Sequence, residues 1–164
     1  MFSVNEGTSR LKVETFAFNG NECVILIHLC SEALTSSDEE AAKAILRRFV
    51  AHQKETPQRY YMIIDTHKVL TFPFDTMVTI HKYLTRKERY LRDHLCCTSY
   101  VIQGRFAEMA LNTLNGMFDS WKPSKVFKCY PQTPSIQDHE HGIPRETFQG
   151  VMTFIRTSAP PKAP

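Results

Sequence analysis

The side chains that could do chemistry in this sequence lie mainly just after segments expected to form strands. His67 follows an apolar segment that ends at Asp65. Open α/β sheets bind ligands beyond the carboxyl ends of their strands, which makes this region a candidate ligand or partner loop. The loop comprises Thr66, His67, Thr71, Asp75 and Thr76. His67 and Asp75 could serve a small enzyme as base and orienting group, whereas the simpler interpretation is an exposed loop histidine.

The junction after the next expected strand is a second candidate. Gly104 and Arg105 stand there, and free amides at a helix start together with a guanidinium would attract a carboxylate or a phosphate. Phosphate loops carry several glycines, so a lone Gly104 is explained more simply by tight packing at the turn. The pair is therefore retained only as a candidate anion contact.

Metal-ligating residue types are present, but their spacing is unfavourable. His139 and His141 would share a face in a strand and could hold a metal there, whereas the surrounding segment is typical of a polar loop. The five cysteines include no C-x-x-C pair; they are Cys23, Cys30, Cys96, Cys97 and Cys129. We therefore expect reduced, buried thiols, no metal and no cofactor.

Strand and helix patterns alternate along the chain. Leu11–Phe18 alternates in polarity, and Asn19-Gly20 suits a type I′ turn into the apolar segment Cys23–Cys30, which predicts a β-hairpin. The sequence Ser36–Glu39 has the form of a capping box and predicts a helix that stops before Pro57.

The later part of the chain continues this alternation. Three segments predict further core strands: Arg59–Asp65, Leu95–Gln103 and Val126–Tyr130. Helices are expected from Met77, over Phe106–Phe118 and over Arg145–Arg156, the last interrupted at Gly150, and a polar loop is expected over Pro131–Pro144. The order β-β-α-β-α-β-α-β-α predicts a mixed, mainly parallel α/β sheet opened by a hairpin, with four helices packed on it.

Composition limits the class of protein. The 164 residues suit a single domain, expected over 11–156 with an N-terminal arm (1–10) and a flexible tail (157–164). A net charge of +3 without a long basic run argues against nucleic acid. A polar start and the lack of long apolar segments argue against a secretory signal and a transmembrane segment, so we expect a cytoplasmic protein, with an organelle left open.

Several segments within residues 11–130 resemble a known fold. Tyr61–Asp65 resembles a central strand ending in Asp, and Val69–Thr76 with the helix from Met77 resembles the loop and helix that follow it. Leu95–Gln103, a helix and Ser124–Val126 resemble the later strand–helix–strand unit. Together with the element order, they resemble the STAS family (the anti-sigma-factor-antagonist fold) and the related CRAL-TRIO lipid-binding domain.

The resemblance has consequences and departures. Many STAS domains carry a phosphorylated serine after an aspartate at a helix start; Asp75-Thr76 stands here, displaced by the insertion at Thr71, so Thr76 is a possible phosphoacceptor. The CRAL-TRIO family usually has an additional N-terminal helical lobe, which this chain lacks, although Ile143–Gly150 resembles the end of such domains.

Two functions are therefore expected from different classes. The first is a non-enzymatic STAS-like interaction domain that regulates, or is a subunit of, a protein assembly. The alternative is a minimal CRAL-TRIO-like carrier of a lipid or another apolar small molecule.

Overall fold

The strands follow one another across a single sheet in the order in which they occur along the chain. The computed structural model describes residues 3–20, 22–31, 33–69, 74–82, 93–104, 108–109, 112, 123–129 and 138–158. The six strands are β1 (Asn5–Gly7), β2 (Leu11–Phe18), β3 (Glu22–Leu29), β4 (Tyr60–Asp65), β5 (Leu95–Gln103) and β6 (Ser124–Cys129). β1, β2 and β3 pair antiparallel, and β3 to β6 pair parallel. The predicted mixed α/β class is confirmed.

The predicted hairpin joins β2 to β3. Asn19 and Gly20 both have positive φ, 45° and 75°, as the dipeptide indicated. The register pairs Phe18 with Glu22, so three residues connect the strands rather than two. Within residues 1–10, Asn5–Gly7 pair with β2 and extend the sheet by one short strand.

The first helix, α1 (Ser36–Glu55), begins one residue earlier than its sequence signature suggested. Its N-cap is Thr35, and the capping box joins Thr35 to Asp38 rather than Ser36 to Glu39. Asp38 is the better partner because its carboxylate also accepts a hydrogen bond from Thr8 Oγ1, at 2.6 Å, in the turn before β2. The helix ends before Pro57, as predicted.

Two helices make extensive contact with the sheet in the described part of the chain, one on each face, and a short third helix adds one partly buried side chain. The prediction of four packed helices is therefore wrong. On the α1 face, Ile45 and Phe49 share a core cluster with residues of β2, β3 and β4, and Val78 of the short α2 (Phe74–Lys82) joins the same cluster. On the opposite face, the α3 face, Val151 and Ile155 of α3 (Arg145–Ser158) pack against the sheet. The helix expected over Phe106–Phe118 lies mostly outside the described residues.

The strand order explains why the two faces differ. Right-handed crossovers that always step to the next strand in one direction place their helices on the same face. α1 and α2 therefore share a face, and the other face remains for α3. Gly150 does not interrupt α3, which is continuous over Arg145–Ser158. A Cβ atom at this position would make only an ordinary contact, 3.4 Å, with the ring of Phe127.

The carboxyl-terminal part of the sheet differs from expectation in two ways. β6 lies at the edge of the sheet and is mostly half-buried or exposed, so it is not the core strand that was predicted. The predicted polar loop contains a small hairpin, β7 (His139–Glu140) and β8 (Ile143–Pro144), because His141 and Gly142 both have positive φ and form its turn. Within the described residues, no helix is long and apolar enough to cross a lipid bilayer.

Candidate functional site

Three histidines and two carboxylates form a connected group at the carboxyl ends of β3 and β4. We call this group the histidine–carboxylate chain; in order, its members are His67, Asp65, His28, Glu14 and His141. His28 and Asp65 are register partners on adjacent parallel strands, so the sheet itself places them side by side. The histidine–carboxylate chain lies at the carboxyl ends of the parallel strands, where α/β proteins usually bind ligands.

In the histidine–carboxylate chain, Asp65 lies between His67 and His28 and contacts both. Its side chain is 2% exposed, and its Oδ2 atom lies 2.8 Å from Nδ1 of His28. Its Oδ1 atom lies 2.5 Å from Nδ1 of His67 and also accepts the backbone N–H of His67 at 3.1 Å. Because both oxygens of this buried carboxylate are occupied, the orientation of both imidazole rings is fixed.

Glu14 lies between His28 and His141 in the histidine–carboxylate chain, and it thereby joins the sheet to the β7–β8 hairpin. Its Oε2 atom lies 3.8 Å from Nε2 of His28, and its Oε1 atom lies 2.7 Å from Nδ1 of His141. The ring of His141 stacks on Phe16, with 4.5 Å between ring centroids. Gly142 lies directly over His28, where a Cβ atom would be 3.3 Å from Cε1 of the ring.

The charges of this group reinforce one another. Burial alone would lower the pKa of His28, but the carboxylates of Asp65 and Glu14 outweigh it and raise the pKa above its ordinary value. Burial alone would raise the pKa of Asp65 and of Glu14, but the histidines beside them outweigh it and lower both. His28 is therefore favoured as an imidazolium between two carboxylates.

The cysteine thiols near the site and in the core are uncharged, because burial raises their pKa values and no neighbouring charge outweighs it. Burial raises the pKa of Cys23 to about 11 and that of Cys97 to about 12. It also raises the pKa of Cys30 and Cys129, and the Cys129 Sγ atom lies 3.5 Å from the hydroxyl oxygen of Thr147. All five cysteines are free thiols, and these four are protonated at neutral pH, in which state they are weak nucleophiles and poor metal ligands.

An open cleft of about 530 Å³ lies between the edge strand β6 and α3. Its lining residues are Phe127, Lys128, Cys129, Asp138, Pro144, Arg145, Glu146, Thr147, Gln149 and Gly150. The lining thus combines apolar surface with side chains of both charges. Asp138 and Pro144 place the β7–β8 hairpin in the wall of this cleft.

The structure gathers only part of the predicted ligand loop. Thr66 and His67 lie together after β4, and the Thr66 side chain is buried and donates to the carbonyl of Val101 at 3.2 Å. Asp75 is exposed in the first turn of α2, whereas Thr76 is 8% exposed. Thr71 lies outside the described residues.

The other predicted candidates are placed separately. Gly104 has a φ of 82° and is exposed, and Arg105 lies outside the described residues. His139 pairs with Pro144 in the small hairpin, whereas His141 is in its turn, so the two do not share a strand face. Across the described ranges, no group of three or more His, Cys, Asp or Glu side chains has a geometry that could hold a metal ion.

His28 and Glu14 are members of the site that the sequence interpretation overlooked. His28 stands within an otherwise apolar strand, and a histidine buried in such a strand requires a polar partner. That requirement is the signal that could have drawn attention to it. Nothing local in the sequence indicates that Glu14 and His141, separated by 127 positions, are in contact.

No protein-family model matches the chain, and no curated protein or solved structure matches it either.

Proposed function

We propose that this chain is a STAS-like, non-enzymatic interaction domain that regulates, or is a subunit of, a protein assembly. The observation that carries the proposal is the open cleft between β6 and α3. We infer that it receives a polypeptide segment of a partner protein.

The chemistry of the cleft supports a peptide ligand. It offers the cation Arg145, the anions Asp138 and Glu146, and the apolar surface of Phe127 and Pro144. Lys128 also lines the cleft, where its ammonium group is ion-paired with Glu108. Protein interfaces combine these types of contact, with a partly apolar centre and a polar rim. Its position beside an edge strand also resembles the sites at which extended peptides dock.

The state of the nearby titratable groups supports a binding role over a catalytic one. A general base or nucleophile works best with a pKa near the operating pH. Here the thiols of Cys97 and Cys129 have raised pKa values, and the Asp65 carboxylate has a lowered pKa and is hydrogen-bonded through both oxygens. These groups are therefore unsuited to exchanging protons with a substrate.

The carrier alternative requires an enclosed apolar cavity. An apolar cavity between α1 and α2, lined by Leu11, Leu46 and Thr76 among others, measures about 20 Å³. Lipid-sized ligands occupy pockets of roughly 300–1,000 Å³, whereas this space holds about one water molecule. This cavity therefore gives the carrier function no support.

The proposal is tested by filling the cleft. Gln149 is exposed in the cleft wall, and Gln149→Trp would occupy the cleft without changing the charge. Ala44→Trp, on the exposed side of α1, is the matched control because it adds the same indole on the opposite face of the sheet. The wild-type protein and both variants would be tagged in the cells that produce the chain, and the proteins that co-purify would be compared.

The expected result is a discrete partner retained by the wild-type protein and by Ala44→Trp and lost from Gln149→Trp. A photo-crosslinking residue at position 149 should then form an adduct with that partner, and one at position 44 should not. Equal recovery by all three proteins, or recovery of no partner by any of them, would refute the proposal. A lipid seen by native mass spectrometry would favour the carrier instead.

A further inference from the structure

The β7–β8 hairpin is attached to the sheet through the histidine–carboxylate chain. Its turn residue His141 contacts Glu14 at 2.7 Å, and Gly142 packs on the ring of His28. Other contacts also hold the hairpin. The ring of His141 stacks on Phe16 and lies 5.3 Å from that of Phe148, and the Arg145 N–H donates to the Asp138 carbonyl at 2.7 Å. Ile143 is fully buried in the core cluster on the α3 face, so release concerns the turn at His141 and Gly142 first. Glu14 is thus the charged anchor of the hairpin.

His28 can satisfy both of its carboxylate neighbours only when it is protonated. Nδ1 faces Oδ2 of Asp65 at 2.8 Å, and Nε2 faces Oε2 of Glu14 at 3.8 Å. A neutral imidazole carries one N–H, so one ring nitrogen would present a lone pair to a carboxylate oxygen. The closer contact to Asp65 would keep the N–H, and Glu14 would face the lone pair.

From this geometry, we propose that the β7–β8 hairpin is a pH-sensitive latch, closed while His28 carries two protons and released when Nε2 loses its proton. Losing that proton removes the positive charge that steadies Glu14, and Glu14 in turn holds His141. The raised pKa of His28 favours the protonated ring and therefore the closed latch. Release requires a more alkaline solution.

The groups that face His28 are few in the described structure. Glu14 lies on β2 and Asp65 on β4, and Lys12 is the register partner of His28 on β2. His67 and His141 do not face His28 directly, because His67 contacts Asp65 and His141 contacts Glu14. The pKa values of both carboxylates are lowered, so Glu14 and Asp65 stay ionised while His28 loses its proton.

Release of the latch would alter the cleft, a consequence that depends on the function proposed above. Asp138 and Pro144 belong to the hairpin segment and line the cleft. A released hairpin would widen the cleft and expose the face of Phe16 that His141 covers. Partner binding would then depend on pH through the position of the hairpin.

Amide hydrogen exchange followed by NMR tests the latch without a partner. Exchange at residues 139–143 would be compared with exchange in β4 between about pH 6 and about pH 9, corrected for the intrinsic rate. We expect protection of the hairpin to fall by about tenfold or more over this range, while β4 stays protected. His28→Gln should abolish the pH dependence, and the matched change His139→Gln, in the same hairpin, should preserve it.

A measurement on the wild-type protein covers the case in which His28→Gln does not fold. The ring Cε1 signals of the histidines would be titrated, and the midpoint of hairpin release should coincide with that of His28. Hairpin protection that does not change with pH, or a midpoint that follows His67 or His141 instead, would overturn the latch. This readout contains no partner, so it fails or succeeds independently of the test with Gln149→Trp.

Discussion

At the scale of single residues, Asp65 determines the arrangement of the site. Its two oxygens orient His28 and His67, and it is almost entirely buried. A buried carboxylate is stable in the charged form only while its partners remain, and the partners depend equally on it. Removing its charge should therefore be costly.

The expected effect of Asp65→Asn is a loss of about 3 kcal/mol in the free energy of unfolding, because an imidazolium is left buried without its carboxylate. Urea denaturation at neutral pH measures the change. Asp75→Asn is the control, since Asp75 is exposed in the first turn of α2 and its loss should cost about 0.5 kcal/mol or less. Equal effects of the two changes would argue against the central role of Asp65.

Gly142 allows a second residue-scale prediction. Gly142→Ala should destabilise the protein by about 1–2 kcal/mol more than Gly20→Ala, as thermal unfolding would show. Both glycines have a φ of 75°, so the backbone strain is equal, but only at Gly142 would the new methyl group meet the ring of His28. A difference near zero would mean that the hairpin does not press on His28.

At the scale of elements, capping decides where α1 begins. Thr35→Ala should lower the free energy of unfolding by about 1 kcal/mol, because the Asp38 amide loses the hydroxyl that caps it. Ser36→Ala should change it by less than about 0.5 kcal/mol, since alanine suits the first helical position. Chemical denaturation of both variants gives the comparison. A larger loss for Ser36→Ala than for Thr35→Ala would show that Ser36 and Glu39 form the capping box instead.

Sequence patterns predicted the strong elements well and their details poorly. The sequence predicts four of the strands, because short segments of alternating or continuous apolar residues are typical of buried strands. These strands are β2, β3, β4 and β5. The edge position of β6 was missed, because an apolar segment does not reveal how many neighbours a strand has. Sequence patterns predict a loop at the β7–β8 hairpin, because strands of two residues are too short to show alternation.

The site was less predictable than the sheet. His67 was selected because it follows a strand, which is a local signal. Its connection to Glu14 and His141 depends on the strand register and on the fold of a distant hairpin, and no local pattern encodes either.

At the scale of the whole molecule, the histidine–carboxylate chain should limit stability at both ends of the pH range. The pKa of His28 is raised in the folded state, so its contribution is complete below its ordinary value of 6.5 and is lost as the pH rises through the folded value. Asp65 and Glu14 have lowered pKa values, so their contribution is complete above 3.8 and 4.5 and is lost as the pH falls through the folded values.

The urea midpoint should therefore be greatest between these limits and decline on both sides. In His28→Gln, the alkaline decline should be reduced and the acid decline should remain, because Asp38 also has a pKa lowered to about 2, by hydrogen bonds from Thr8 and Thr35. An unchanged alkaline decline in this variant would assign it to another group.

The placement of α3 has a consequence for biosynthesis. Every strand of the six-stranded sheet precedes α3 in the chain, and α3 alone among the described helices covers the side of the sheet bearing Val24, Leu26 and Ile63. In the described part of the chain, these side chains lack their covering helix until residues 145–158 have emerged from the ribosome. Cotranslational chaperones that bind bare apolar surface should therefore associate with the chain until late in its translation.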